Sequence, residues 1–388
     1  MKISTRFQNL PNREGDPWKI YLRAKELEAA GEPVINLSVG DHDAPTPQFI
    51  LDEAARSARM GNTGYAALTG TGALRAAIAE RATVSTGAPV STDEIAVVPG
   101  GQFALFTALS AVLNPGDGAL LIEPYYATYP ITVRAALGAP VLVPSLPDRG
   151  FQPDLEALDA AAPSATALVL NSPNNPTGAI YSRDTLEGIA EIALRRDLWV
   201  ISDEVYDSQV WEGTHLSIRS LPGMAERVMV VGSLSKSHRM TGSRLGWLIA
   251  PKPVMSLCWE FLVSTTYGVP GFLQDAALRA LNQGAETERD VFDTYKRRRD
   301  LAVRAFEGTN RVKLAPPQGA MYVMLDIRQT GLSGDDFAER LLDQHRIAVM
   351  PGEGFGSAGA GHVRVALTVE DTALSSAFES IRAFADVI

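Results

Sequence analysis

Cysteine is almost absent from this chain. Cys258 stands alone among 388 residues, so no intrachain disulfide can form, which suits a reducing compartment. Basic runs are missing as well. The net charge is −10, and without clustered Lys and Arg the chain is poorly suited to nucleic acid as its main partner. No stretch approaches the roughly 20 apolar residues of a membrane span. The polar start MKISTRFQNLPNREGD lacks the apolar core of a secretion signal. The five histidines make neither an HExxH pair nor a Cys/His cluster with metal-ligand spacing. There is no GxGxxG fingerprint, and no GKS or GKT for a phosphate loop. These absences lead us to expect a cytoplasmic chain without metal, membrane or nucleic-acid partner.

What is present is a regular alternation. Short β-rich runs (EIAVV, ALLIEP, APVLV, ATALVLN, LWVISDE, VMVVGS, RLGWLIA) are separated by helical patterns such as QFALFTALSAVL and RDTLEGIAEIALRRD. That order predicts an α/β fold, a mainly parallel sheet with helices on both faces. In such sheets ligands gather at the carboxyl ends of the strands. After about residue 285 the texture changes. A long charged helix, TERDVFDTYKRRRDLAVRAFEG, precedes MYVMLDI, DDFAERLLDQH, IAVMPG, HVRVALT and a terminal helix, a pattern that fits a smaller α+β domain. The expected division is a large domain over 46–285 and a small one built from 1–45 and 286–388. The Gly/Ala/Ser-rich stretch 354–361 reads as a mobile loop.

Five segments at or near strand ends carry candidate chemistry. In SLSKSHRMTGSRLGW, Lys236 follows an apolar strand, between Ser233, Ser235 and, eight residues on, Arg244. The lysine can condense with a carbonyl cofactor, and the hydroxyls and guanidinium can hold a phosphate. A solvated loop is the plainer alternative. In LWVISDEVYD, Asp203 can pair with a protonated ring nitrogen and Tyr206 can offer a phenol; helix capping is the alternative. NSPNNPTG, Asn171–Gly178, forces an irregular turn able to aim an amide inward. PGGQFALF opens a helix at Gly100 and Gly101, leaving free N–H groups for an anion. In HVRVALT, Arg364 sits among apolar residues, where a carboxylate partner is expected, from substrate or from the protein itself.

Together, NSPNNPTG, SDEVY, SLSKSHRMTGSRLGW and HVRVALT resemble the class I and II aminotransferase family, of the pyridoxal-5′-phosphate (PLP) dependent transferase fold type I, over essentially the whole chain. Segments such as LSVGD, SLPGMAERV and YGVPGFLQDAA are further similar to bacterial arginine:pyruvate transaminases. The resemblance implies that Lys236 carries the cofactor and shuttles the proton, that Asp203 pairs with the ring nitrogen, and that Asn175 and Tyr206 hydrogen-bond the ring hydroxyl oxygen. It implies that Tyr126 stacks on the ring. Backbone groups of Gly101 and Gln102, with Ser233, Ser235 and Arg244, would cup the phosphate, and Tyr65 would reach the phosphate of a partner subunit in a homodimer. Gly40, Asn175 and Arg364 would bind the substrate carboxylate.

The implied reaction moves an amino group from an L-amino acid to a 2-oxo acid such as pyruvate. His42, His238, Arg239 and Ser243 depart from the family pattern and bear on substrate identity. Asp41, Asp43, Glu14 and Asp16 are candidate partners for a guanidinium substrate, or surface and capping acids. Arg239 would instead favour an anionic side chain, or face solvent. The same lysine and aspartate also serve β-lyases and PLP-dependent oxidases or hydroxylases. A ligand-sensing regulator would need an attached DNA-binding module, and the acidic balance speaks against it. A PLP-holding protein without turnover is disfavoured by the intact set of Lys236, Asp203, Arg244 and Arg364.

Overall fold

The computed structural model describes residues 1–10 and 18–388. Seven strands form the central sheet: β1 (Ile95–Val98), β2 (Gly118–Ile122), β3 (Ala139–Val143), β4 (Ala167–Asn171), β5 (Trp199–Asp203), β6 (Val228–Ser233) and β7 (Gly246–Ile249). Their spatial order is β1-β7-β6-β5-β4-β2-β3. Neighbours run parallel except β7, which is antiparallel to both β1 and β6.

The two-residue period of a strand explains why both faces are covered. The row Leu120, Leu168, Val200, Val228 lies in one core; the next row, Leu121, Val169, Ile201, Met229, lies in the opposite one. The helices packed on these faces include α1 (Gly72–Thr86), α2 (Gly100–Val112), α3 (Arg183–Arg196), α4 (Lys252–Thr265) and α5 (Gly271–Gln283). Leu74 and Ile78 of α1, Leu186 and Ile189 of α3, and Ala276 and Ala280 of α5 join the first core. Ala104, Leu105 and Ala108 of α2 join the second, with Cys258 and Leu262 of α4. Burying one such side chain contributes roughly 1.5–3 kcal/mol, so the paired layers fix the strand ends rigidly.

A third core surrounds a four-stranded antiparallel sheet, order β8-β9-β11-β10, of β8 (Lys313–Leu314), β9 (Tyr322–Asp326), β10 (Met350–Pro351) and β11 (His362–Ala366). The charged helix α6 (Ala285–Phe306) contributes Val291, Tyr295 and Phe306, and α7 (Asp371–Val387) contributes Phe378, Ile381 and Phe384. Ile20, Ala24 and Leu37 from the N-terminal part share this core, as do Tyr206 and Trp211 from the turn after β5. Strand Ile35–Asn36 pairs in parallel with Ile347–Ala348.

The stretch 354–361, expected as a mobile loop, is instead packed as two 3₁₀ turns, Gly352–Phe355 and Ser357–Gly359. Here glycine allows close approach rather than freedom: a Cβ on Gly352 would lie 2.0 Å from the Gly359 carbonyl oxygen. The buried Glu123 carboxylate accepts from Ser357 N at 2.6 Å and Ser357 Oγ at 3.0 Å, anchoring the second turn. No helix among the described residues is long and apolar enough to cross a membrane.

Candidate active site

A cleft of about 290 Å³ opens between the carboxyl ends of the central strands and the smaller sheet, close to the usual lower size of a ligand pocket. Gly40, Gly101, Gln102, Tyr126, Asn175, Asp203, Tyr206, Ser233, Ser235, Lys236, Arg244 and Arg364 all line it. Every site residue expected from sequence is therefore present except Tyr65. That side chain is 88% exposed and stacks edge-on against Tyr267, away from the cleft of its own chain.

The end of β5 delivers Asp203. Its carboxylate accepts from the Tyr129 hydroxyl at 2.8 Å and from Val205 N at 3.3 Å. Burial pushes the carboxyl up to about 6, held back by those two donors. The turn after β4 is fastened to this strand. Asn171 donates to the Asp203 carbonyl at 2.9 Å and accepts from Asn175 N at 2.8 Å, while Asn174 takes both donors of Thr177. Asparagine side chains thus stand in for the hydrogen bonds an irregular turn cannot make to itself.

The end of β6 delivers Lys236. Ser233 caps the short helix Leu234–Ser237 by accepting from Ser235 N at 3.0 Å. Its hydroxyl also lies 3.0 Å from the Leu245 carbonyl oxygen and 2.9 Å from Ser235 Oγ. With its single proton given to Ser235 Oγ, Ser233 leaves the Ser235 hydroxyl a proton to direct into the cleft; with that proton given to the Leu245 carbonyl, Ser235 donates to Ser233 instead. The Lys236 ammonium donates to the Gly40 carbonyl. Helix α2 begins after Pro99 with no side-chain cap, so its first N–H groups face the cleft unserved. The Gln102 side chain is committed to Thr132 and Thr128, which leaves its backbone for a ligand. Arg244 lies across this helix start: a Cβ on Gly100 would come within 2.5 Å of its Nη2.

From the smaller sheet, the buried Arg364 donates to Asn175 Oδ1 at 2.9 Å and to the Ser38 carbonyl. Its Nε is buried without a partner. The guanidinium carbon sits 4.4 Å from the Tyr322 ring centre and 5.0 Å from that of Phe355. Arg364 has no carboxylate partner among the protein's described ion pairs. A guanidinium that lines the cleft without a protein carboxylate beside it suits an incoming substrate carboxylate.

The remaining candidates separate cleanly. Asp41 lines the cleft, held by Thr241 Oγ1 at 2.8 Å. Asp43 is bound to the buried Arg298 and is not free for a substrate. Glu14 and Asp16 lie outside the described residues. Arg239, weighed as an anion receptor, is paired with Asp290 of α6. His42 meets the Tyr295 hydroxyl at 3.0 Å; burial, with the nearby Lys236 and Arg239 cations, pushes its imidazole down to about 3. His238 is buried beside the Ser237 hydroxyl at 2.8 Å, where burial and Arg81 lower it to about 4. Ser243 closes a 3₁₀ turn ahead of Arg244. No metal-binding cluster occurs among the described residues.

Residue-by-residue reading missed Tyr129, Tyr322, Asn171, Thr241 and Trp18, all of which line the cleft. Tyr129 had a legible signal, one turn past Tyr126 in EPYYATYP. Tyr322 had less: it begins an apolar strand, and only its pairing opposite Ala366 brings it beside Arg364.

A mainly parallel sheet with a lysine, a buried carboxylate and two arginines in one strand-end cleft fits an α/β enzyme that handles amino groups. The chain belongs to the class I and II aminotransferases: the model of that family matches residues 32–381. It is 40% identical over 370 residues to the arginine–pyruvate transaminase of Pseudomonas aeruginosa, covering 95% of this chain and 94% of that one. It is 34% identical over 386 residues to the aspartate aminotransferase of Thermotoga maritima, covering 98% and 99%. Among solved structures, an aspartate aminotransferase from Thermus thermophilus superposes with a TM-score of 0.92, at 35% identity and full coverage of both chains. The protein is an aminotransferase.

Proposed function

We propose that the chain uses PLP to move the amino group of L-arginine to a 2-oxo acid such as pyruvate. The chemistry of the donor set supports PLP. Gly101 and Gln102 N–H groups, Ser233, Ser235 and Arg244 make one anion-binding end. Tyr126 supplies a ring face, Asp203 a buried carboxylate for a ring nitrogen, Tyr206 and Asn175 polar contacts for a ring oxygen, and Lys236 an amine. When bound, PLP supplies a carbonyl that takes up the amino group and a ring that accepts the electron pair left at the substrate Cα.

The chain's own groups do the rest. Arg364 holds the substrate α-carboxylate near Gly40, which fixes the Cα–H bond relative to Lys236. With the group bound, the Lys236 amine would be the base that takes the Cα proton and holds it for return. A cation facing Asp203 would draw its raised carboxyl back down, so the pair is favoured in its charged form.

The observation that carries the choice of donor is the charge inventory of the cleft. Its cations are Lys236, Arg244 and Arg364, and its acids are Asp203 and Asp41. Each cation already has a role, so the lining of this cleft offers none to a second carboxylate. Asp41 remains to favour a cationic side chain. The 40% identity to an arginine–pyruvate transaminase supports the same choice. With pyruvate as acceptor, alanine formation from a panel of donors tests it. Arginine is expected to exceed aspartate in kcat/KM by on the order of a hundredfold; a preference for aspartate would overturn the donor.

Three further points belong to this reading. The large domain is 46–285, and 1–45 with 286–388 form the small one, supported by their separate cores. The working unit is a C₂ homodimer, supported by the open apolar groove of Phe103, Phe106 and Ile131 beside Arg244 and by the exposed Tyr65. The setting is the cytoplasm, supported by the free, buried thiol of Cys258.

A further inference from the structure

We propose that Tyr322 is a positioning residue that ties the carboxylate-binding arginine to the cofactor-facing phenol, a role that rests on the PLP reading above. Three separate contacts converge on this one side chain. Its ring lies under the Arg364 guanidinium, 4.4 Å from ring centre to Cζ. Its hydroxyl is 3.0 Å from the Tyr206 hydroxyl, the two rings meeting edge to face at 82°. The same hydroxyl fills the space over Gly40, where an added Cβ would lie 1.8 Å away. Gly40 in turn accepts from Lys236. Tyr322 is buried and anchored in β9 opposite Ala366, so it cannot move without moving the strand that pairs with the strand of Arg364.

The two ends of the side chain have different work. The ring face, with that of Phe355 at 5.0 Å, holds the guanidinium while its Nε remains without a protein partner. Cation–π contact of this kind favours Arg held flat on a ring. Either hydroxyl of this pair can donate; with the Tyr206 proton turned to the cofactor, the Tyr322 hydroxyl is the one left to donate to the Tyr206 oxygen. A phenol that accepts one hydrogen bond becomes a better donor in the next, so Tyr206 presents a stronger hydrogen bond to the ring oxygen of the cofactor.

Two variants of the holoenzyme separate these roles. Tyr322→Phe keeps the ring and removes the hydroxyl. The pH titration of the visible cofactor band should move upward by a few tenths of a unit, while KM for donor and acceptor stays within about twofold. Tyr322→Leu removes the ring as well, and both KM values should rise about tenfold, because the guanidinium that binds the substrate carboxylate then has no aromatic face to hold it flat. A general packing defect would lower the melting temperature of both variants without this division. A Tyr322→Phe titration superimposable on wild type, or a folded Tyr322→Leu enzyme with unchanged KM values, would overturn the proposal. A wild-type protein that shows no visible band with PLP would instead overturn the reading beneath it.

Discussion

Asp203 is less stable as an anion in its present place than it would be in water. Burial lifts its carboxyl from the ordinary 3.8 to about 6, so between those values the folded, cofactor-free chain binds more protons than the unfolded one. Stability therefore falls as pH rises through that window, and above about 6 the full cost is present, on the order of 2–3 kcal/mol. Asp203→Asn keeps the acceptor for Tyr129 and removes the charge. In the cofactor-free state it should melt a few degrees higher than wild type at pH 7.5, with the gain gone near pH 4, while transamination is lost. Equal melting temperatures at both pH values would contradict this account. At this scale the sequence was informative where a side chain follows its own strand end, as Lys236, Asp203 and Asn175 do. It was silent about Tyr322, whose partners Tyr206 and Arg364 are distant in the chain, and it left Asp43 open because nothing local announces Arg298.

Among the elements, α2 matters most to the site, since its uncapped first turn lies where the Arg244 side chain crosses. Gly100 adopts a left-handed φ of +81°, a conformation costing other residues roughly 1–2 kcal/mol. Any side chain there would also strike Arg244. Gly100→Ala should weaken PLP binding by about tenfold or more, measured by titrating the cofactor-free protein; unchanged affinity would show that Arg244 does not hold the phosphate. The strands and helices of the large sheet were legible because each carries a strong apolar period and is closed by Gly, Pro or Asn. The stretch 354–361 was not. Its glycines read as freedom, but they serve backbone approach between Gly352 and Gly359 and a turn anchored by Glu123, 234 residues away in the chain.

For the whole molecule, the sheet order places β4, β5 and β6 side by side at its centre, and that adjacency gathers Asn175, Asp203 and Lys236 without any local signal of their proximity. Alternation alone announced a parallel sheet, whereas β7, antiparallel to its neighbours, was visible only once the chain was folded. The chain matches arginine- and aspartate-named relatives along nearly its entire length, so the architecture alone does not choose the donor. The central claim is that Lys236 carries PLP through an amino-transfer half-reaction. Its most direct test is the absorbance spectrum of the PLP-loaded protein, taken without oxygen, before and after L-arginine and with no oxo acid present. The account predicts that the visible band gives way to the near-ultraviolet band of the amine form of the cofactor, and that Lys236→Ala never shows the starting band. Wild-type protein that forms no visible band with PLP, or a band that no amino acid in a panel discharges, would contradict it.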